Sequence, residues 1–190
     1  VQADEGRNVA SAIEMLKNRI WFTIYYEGKP DTLELNPPFL VWCQLFSFKL
    51  FGLSELSARV PSMIFSISTV LFLFWFSYKI TGDYKVGFVS ILILVSSLGY
   101  IGKHSARFGD HDVILTFFST AFICYTYLYL KTFRTNYLIL LFISLFLGWL
   151  AKSVVVFMFI PPLFVWLLLN KKLSEVIYKK GVWIGGSVVM

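Results

Sequence analysis

Apolar residues in this chain are bunched into long blocks separated by short polar joints. Residues 58–78, 86–101, 113–130 and 137–170 are almost free of charge. A helix needs about 20 apolar residues to cross the ~30 Å hydrocarbon core of a bilayer. Each of the first three blocks therefore predicts one crossing. The last is too long for one. Lys152, with Gly148 before it and Pro161-Pro162 beyond it, predicts a tight turn near 151–153 and two passes. The pattern predicts an all-α fold: a polytopic transmembrane helix bundle of about five spans, two of them short, with outer juxtamembrane helices.

The chain before the first block reads differently. Residues 1–37 are polar, and Asp4 to Arg19 predict one amphipathic helix with Ala10, Ile13, Met15, Leu16 and Ile20 as its apolar face. Pro37-Pro38 opens a second helix at Phe39, because proline is tolerated in a first turn. That helix ends near Phe51-Gly52 and is too short to span. Trp42, Phe46, Phe48, Lys49 and Phe51 suit a helix lying at the membrane interface. The expected division is an extracytoplasmic loop with an amphipathic helix over 1–37, an interfacial helix over 38–52 and a transmembrane bundle over 56–190. The chain opens on Val1 and stops at Met190 inside a fresh apolar run, so it is expected to be an internal piece of a longer membrane protein.

Composition supports the membrane reading. Hydrophobic residues make up 57% of the chain, against about 45–50% in soluble domains. The net charge of +6 is a topology signal rather than a nucleic-acid signal. Lys79, Lys85, Lys131, Arg134, Lys171, Lys172, Lys179 and Lys180 lie in three alternating joints whose only acids are Asp83 and Glu175. Basic joints face the cytoplasm, which puts the remaining acids, Asp4, Glu5, Asp110 and Asp112 among them, on the outer face. Cys43 and Cys124 have no ligand or disulfide spacing and read as small packing residues.

Charge at the mouth of an apolar segment is costly, and HSARFGDHDVILTFF, residues 104–118, places one Arg, two Asp and two His there. Ordinary roles exist for each. Surface acids are solvated, Lys152 can snorkel to headgroups, and Asp112 can cap a helix. One cap does not need Arg107, Asp110 and His111 as well, and ionisable groups at membrane depth point to function. Basic groups there can hold a lipid-linked phosphate. A carboxylate can take a proton from an attacking hydroxyl. Carboxylates with a His can hold a divalent cation that neutralises a phosphate leaving group. Sugar transfer from a polyprenyl-phosphate donor asks for this mixture.

Five segments, in order, resemble the protein O-mannosyltransferase and aminoarabinose (lipid A) transferase superfamily of type C membrane glycosyltransferases. DEGRNVASAIEML resembles its Asp-Glu opening of the first outer loop. ELNPPFLVWCQLFSFKLFG resembles its Pro-Pro motif and aromatic helix, and ELSARVPSMIF its R-x-P-S. ARFGDHDVILTFF resembles A-R…D-x-x-L-T-F-F, and GWLAKSVVV resembles G-x-x-x-L-x-K-G.

The resemblance implies Asp4 as catalytic base, with Asp112 as the second catalytic acid. Glu5, Glu34, Asn36, Lys103, Arg107 and Lys152 are implied in substrate binding, and Asp110, His111 and Asp112 as ligands of a divalent cation, Mg, Mn or Zn. Arg59 matches the span-entrance arginine, structural or functional. Two departures stand out. Leu35-Asn36 replaces the Glu-Lys that precedes Pro-Pro in the lipid A enzymes, which shifts the phosphate charge to Lys103 or Arg107. Ser153 follows Lys152 where the pattern has Gly. The implied partners are a polyprenyl-phosphate sugar donor, a lipid or protein acceptor and membrane lipids, with no nucleic acid. The implied setting is the bacterial inner membrane with the site on its periplasmic side. A transporter or flippase of lipid-linked sugars is the rival, but it predicts charges within the spans.

Overall fold

The computed structural model describes residues 3–18, 21–26, 28–31, 36–102 and 109–171. Glu34, Lys103, Arg107 and His104 lie outside the described residues, as does the side chain of Asp4.

Helix α1 (Ala3–Asn18) is followed by a two-residue antiparallel ladder, β1 (Tyr25–Tyr26) with β2 (Lys29–Pro30), turned at Gly28 with φ 73°. Arg7 of α1 holds the ladder in place. Its Nε donates to Asp31 Oδ2 at 2.9 Å and its Nη2 to Oδ1 at 2.6 Å, while its guanidinium lies 5.5 Å from the Tyr26 ring centre. The face that α1 buries differs from the expected one. Glu5, Asn8, Ser11, Ala12 and Met15 are buried, one stripe at helical spacing. Of the expected apolar face Ile20 lies outside the described residues, and among the rest only Met15 is fully buried, with Ile13 and Leu16 packed at its flanks. Glu5, at the head of the stripe, faces Arg59 rather than an apolar core.

Helix α2 (Phe39–Phe51) begins as its Pro-Pro entrance predicts. It packs Val41, Leu45 and Phe48 against Ala12 and Met15 of α1, each buried side chain contributing roughly 1.5–3 kcal/mol. Its other face leaves Phe46, Leu50 and Phe51 exposed.

Helix α3 (Glu55–Thr81) starts in a capping box: Ser54 Oγ accepts from the Ser57 N–H at 3.1 Å and the Ser54 N–H donates to Ser57 Oγ at 3.0 Å. Pro61 lies inside this helix and brings no N–H for the Ser57 carbonyl. Ser47 of α2 supplies the missing donor, its Oγ 2.6 Å from that oxygen. The α2–α3 corner is therefore fixed by a helix-breaking residue and its compensation.

Helix α4 (Tyr84–Ser96) returns along α3. Gly87 packs so close that a Cβ there would lie 2.7 Å from the Phe74 ring, and the Ser77 and Ser90 hydroxyls bond at 3.0 Å. The predicted span 86–101 is not one helix. Ser96 and Ser97 donate back to the Ile93 and Leu94 carbonyls, the backbone turns extended at Ser97, and a short helix α5 (Leu98–Ile101) completes the pass.

Helix α6 (His111–Thr132) runs parallel to α3, with Phe65 tilted against Phe117 and Phe72 edge-on to Phe117 and Tyr125. Helix α7 (Thr135–Lys152) returns antiparallel to it. The apolar run 135–169 then reverses, as the pattern predicts. A 3₁₀ stretch, Ser153–Phe159, and α8 (Ile160–Leu169) lie back on the hairpin, so that Val156 packs on Gly148 and Leu167 joins Leu138 in one cluster. A straight helix would separate residues 138 and 167 by about 43 Å at 1.5 Å per residue.

Glu55–Thr81, His111–Thr132 and Thr135–Leu169 are long and apolar enough to cross a membrane. With the third folded on itself and α4–α5 added, the bundle makes five passes. The basic ends meet: Lys79 Nζ lies 5.0 Å from the ring centre of Tyr137, at the start of α7. Burial pushes the Cys43 thiol up to about 11, which keeps it protonated and fits a packing role.

Candidate functional site

The ends of the bundle opposite Lys79 carry the candidate residues. The first turn of α1, the start of α2, the start of α3, the start of α6 and the end of α7 converge there. The apolar support beneath is Leu40, Ile114, Phe118 and Ala151, one cluster drawn from α2, α6 and α7.

Two charge ties stand on this support. In the first, Glu5 accepts a two-pronged bond from Arg59. Arg59 Nε is 2.6 Å from Oε1 and Nη2 is 3.0 Å from Oε2. The Gly109 N–H adds a third donor, 3.2 Å from Oε1. Glu5 is 4% exposed. This clasp joins α1, α3 and the segment that enters α6, residues 5, 59 and 109. Gly109 fits closely here: a Cβ would lie 3.3 Å from the Ala58 carbonyl oxygen, 3.4 Å from Gln44 Nε2 and 3.5 Å from Glu5 Oε1.

In the second tie, Lys152 at the end of α7 donates from Nζ to Asp112 Oδ1 in the first turn of α6. Both side chains are about a third exposed, Asp112 at 34% and Lys152 at 30%. The simpler readings of these two residues therefore give way to a partnership. Lys152 does not merely snorkel, and the N-cap position belongs to Asp110. The backbone just past Lys152 is unusual: Ser153 has φ 30° and ψ −120°, a region that suits glycine.

His111 points the other way, into the bundle. It is buried, and its Nδ1 lies 2.8 Å from the Ala151 carbonyl oxygen. A carbonyl only accepts, so Nδ1 carries the proton. The expected metal-binding trio is thus parted. His111 faces Ala151 and Asp112 faces Lys152, and successive residues of a helix diverge by about 100°. Among the described residues no group of three or more His, Cys, Asp or Glu side chains is placed to hold one ion.

Asp4 lies in the first turn of α1, beside the clasp residue Glu5. Asn36 precedes the Pro-Pro entrance of α2, above the Leu40 support. The structure thus brings Glu5, Asn36, Asp110, Asp112, Lys152 and the α1 turn bearing Asp4 to one end. Glu34, Lys103 and Arg107 lie outside the described residues. The residue that sequence reasoning missed is Gln44. It is fully buried in a mostly apolar helix, with Nε2 3.3 Å from the Ala58 carbonyl oxygen. Gln44 is one of three polar residues in FLVWCQLFSFKLF, with Ser47 and Lys49, and nothing in the sequence sets it apart.

Residues 35–190 match the family model for dolichyl-phosphate-mannose-protein mannosyltransferase. A protein of Aquifex aeolicus (strain VF5), described as uncharacterized, is 33% identical over 111 residues, covering 58% of this chain and 21% of its own. The undecaprenyl phosphate-alpha-4-amino-4-deoxy-L-arabinose arabinosyl transferase of Wigglesworthia glossinidia brevipalpis is 28% identical over 182 residues, covering 90% of this chain and 30% of its own. The crystal structure of ArnT from Cupriavidus metallidurans bound to undecaprenyl phosphate superposes with a TM-score of 0.83 at 19% identity, over 100% of this chain and 36% of that one. Its apo form gives 0.79 at 21% identity. At such identity the superposition shows a shared fold. The chain spans about a fifth to a third of the length of these curated relatives.

Proposed function

The chain belongs to the dolichyl-phosphate-mannose-protein mannosyltransferase family of integral membrane proteins, and from that membership we propose that it carries the catalytic loops of a polyprenyl-phosphate-sugar-dependent glycosyltransferase. The sugar goes to a hydroxyl or phosphate acceptor at the periplasmic face of a bacterial inner membrane. The Wigglesworthia relative and the Cupriavidus structure both name undecaprenyl phosphate, which supports that carrier as the donor's lipid.

The observation that carries the reading is the partly exposed Asp112–Lys152 pair at the end of the bundle that also holds the first turn of α1. A phosphate placed between lipid and water needs a cation at that depth, and Lys152 is one. The donor phosphate takes the Lys152 ammonium from Asp112. Asp4, in the role that the family pattern assigns, accepts the proton of the acceptor hydroxyl. The acceptor oxygen bonds to the anomeric carbon as the bond from that carbon to the phosphate oxygen breaks. The electron pair stays on the polyprenyl phosphate, where Lys152 stabilises it.

The test uses the intact protein in membranes with radiolabelled undecaprenyl-phosphate pentose and hexose donors. Label is expected to move to acceptor with wild type and to stay on the donor with Asp4→Asn at equal expression. Transfer by Asp4→Asn at the wild-type rate would remove the base. Absence of transfer by wild type from every donor would remove the enzyme.

A further inference from the structure

We propose that Gln44 is a positioning residue for transfer, holding the α6 entry in register with the first turn of α1. The inference rests on the proposed function and goes beyond the residues that it uses. Gln44 lies in the middle of α2, a helix whose other buried residues are Leu40, Val41, Leu45, Ser47 and Phe48. A buried amide in such a place costs roughly 1–3 kcal/mol unless it is hydrogen-bonded. Only half of this one is: Nε2 donates to the Ala58 carbonyl at 3.3 Å, while Oε1 is buried without a partner. Packing alone would be served better by Leu or Met.

The neighbours of the amide explain its presence. Gly109 sits against Gln44 Nε2, the Ala58 carbonyl and Glu5 Oε1 at once, and its N–H donates to that same Glu5 oxygen. Gln44 therefore forms one wall of the seat in which Gly109 rests, and Gly109 is the point where the α6 entry touches α1. On one side of that contact, along the chain, stand Asp110, His111 and Asp112. On the other stands Asp4, next to Glu5. Displacing Gly109 shifts the start of α6, which carries Asp110, His111 and Asp112, relative to the first turn of α1, which carries Asp4 and Glu5. A shift of about 1 Å in such a site costs on the order of 100-fold in rate. The unpartnered Oε1 also leaves an acceptor for one donor hydrogen beside the seat.

The test compares wild type with Gln44→Met, which keeps volume and removes the amide, and with Gln44→Glu. In Gln44→Met, kcat is expected to fall about 10- to 100-fold, with a smaller change in donor KM because the long Lys152 side chain can follow Asp112. In Gln44→Glu, the protonated acid restores the donor to Ala58, whereas the anion repels Glu5. The elements around α2 carry Asp4, Glu5, Arg7, Glu14 and Lys17 on α1, Glu55, Arg59 and Lys79 on α3, Asp110, His111 and Asp112 at the α6 entry, and Lys152 on α7; Glu5 meets the same Gly109 seat as the Gln44 amide. Relative to wild type, this variant's kcat is expected to rise as pH falls. Amide hydrogen exchange of the peptide containing Gly109, faster in Gln44→Met, reads the same displacement without any donor. Failure of the proposed function shows as no transfer by wild type, and the exchange measurement then still decides. An unchanged kcat, a loss that only follows the folded fraction, or unchanged exchange at Gly109 overturns the inference.

Discussion

The two charge ties at the site end of the bundle use the same chemistry for different ends. Glu5 is 4% exposed and takes three N–H donors from Arg59 and Gly109. Asp112 is 34% exposed and takes one ammonium. A buried carboxylate with its donors in place has nothing to exchange with, and losing a partner leaves an unpaired charge. An exposed pair is worth only about 0–1 kcal/mol, so an incoming anion can replace one member cheaply. The clasp sets the distance between α1, α3 and α6. The pair is the part free to act.

Breaking the clasp gives the largest expected effect. Arg59→Met takes the two-pronged partner from the buried Glu5 carboxylate and is expected to cost about 3 kcal/mol, the lower end for a broken buried pair, because Arg59 itself is partly exposed. Thermal unfolding in detergent reads this, and Arg59→Lys falls between because an ammonium cannot form the fork. A midpoint unchanged in Arg59→Met contradicts the structural role.

Gly109→Ala loosens the same clasp without altering any charge. Its Cβ would meet the Ala58 carbonyl oxygen at 3.3 Å, and overpacking of this kind costs about 1–2 kcal/mol. The same unfolding experiment checks it, with a drop smaller than that of Arg59→Met.

Ser153→Gly acts beside the exchangeable pair and in the opposite direction. Ser153 holds φ at 30°. Relief of that strain outweighs the greater freedom of an unfolded glycine, for a net gain of about 1 kcal/mol. A lowered unfolding midpoint would show that the turn after Lys152 is not strained.

The bundle was legible because hydropathy is summed over whole segments. Residues 58–78 lie within α3, the Pro-Pro entrance marks the start of α2, and the turn near 151–153 falls at Lys152. Local exceptions were not legible. The break at Ser97 comes from two hydroxyls bonding back to the helix, a choice that serines make in some helices and not in others. The buried face of α1 was misread because a search for apolar periodicity passes over Glu5, Asn8 and Ser11. For the site, single residues stood out but partnerships did not. Asp112 and Lys152 were both visible as charges at segment ends, yet 40 positions separate them. Glu5 and Arg59 are 54 apart. Gln44 gives no signal until Gly109 is seen against it.

The affinity of the intact protein for undecaprenyl phosphate, measured for wild type, Asp112→Asn and Lys152→Met, tests the exchange most directly. Asp112→Asn removes the competing anion and is expected to bind about two- to fivefold more tightly, the worth of an exposed ion pair. Lys152→Met loses a charge-assisted hydrogen bond and is expected to bind at least about tenfold more weakly. Equal affinity in all three proteins would contradict the account, because Lys152 would then neither hold the phosphate nor need to leave Asp112 to do so.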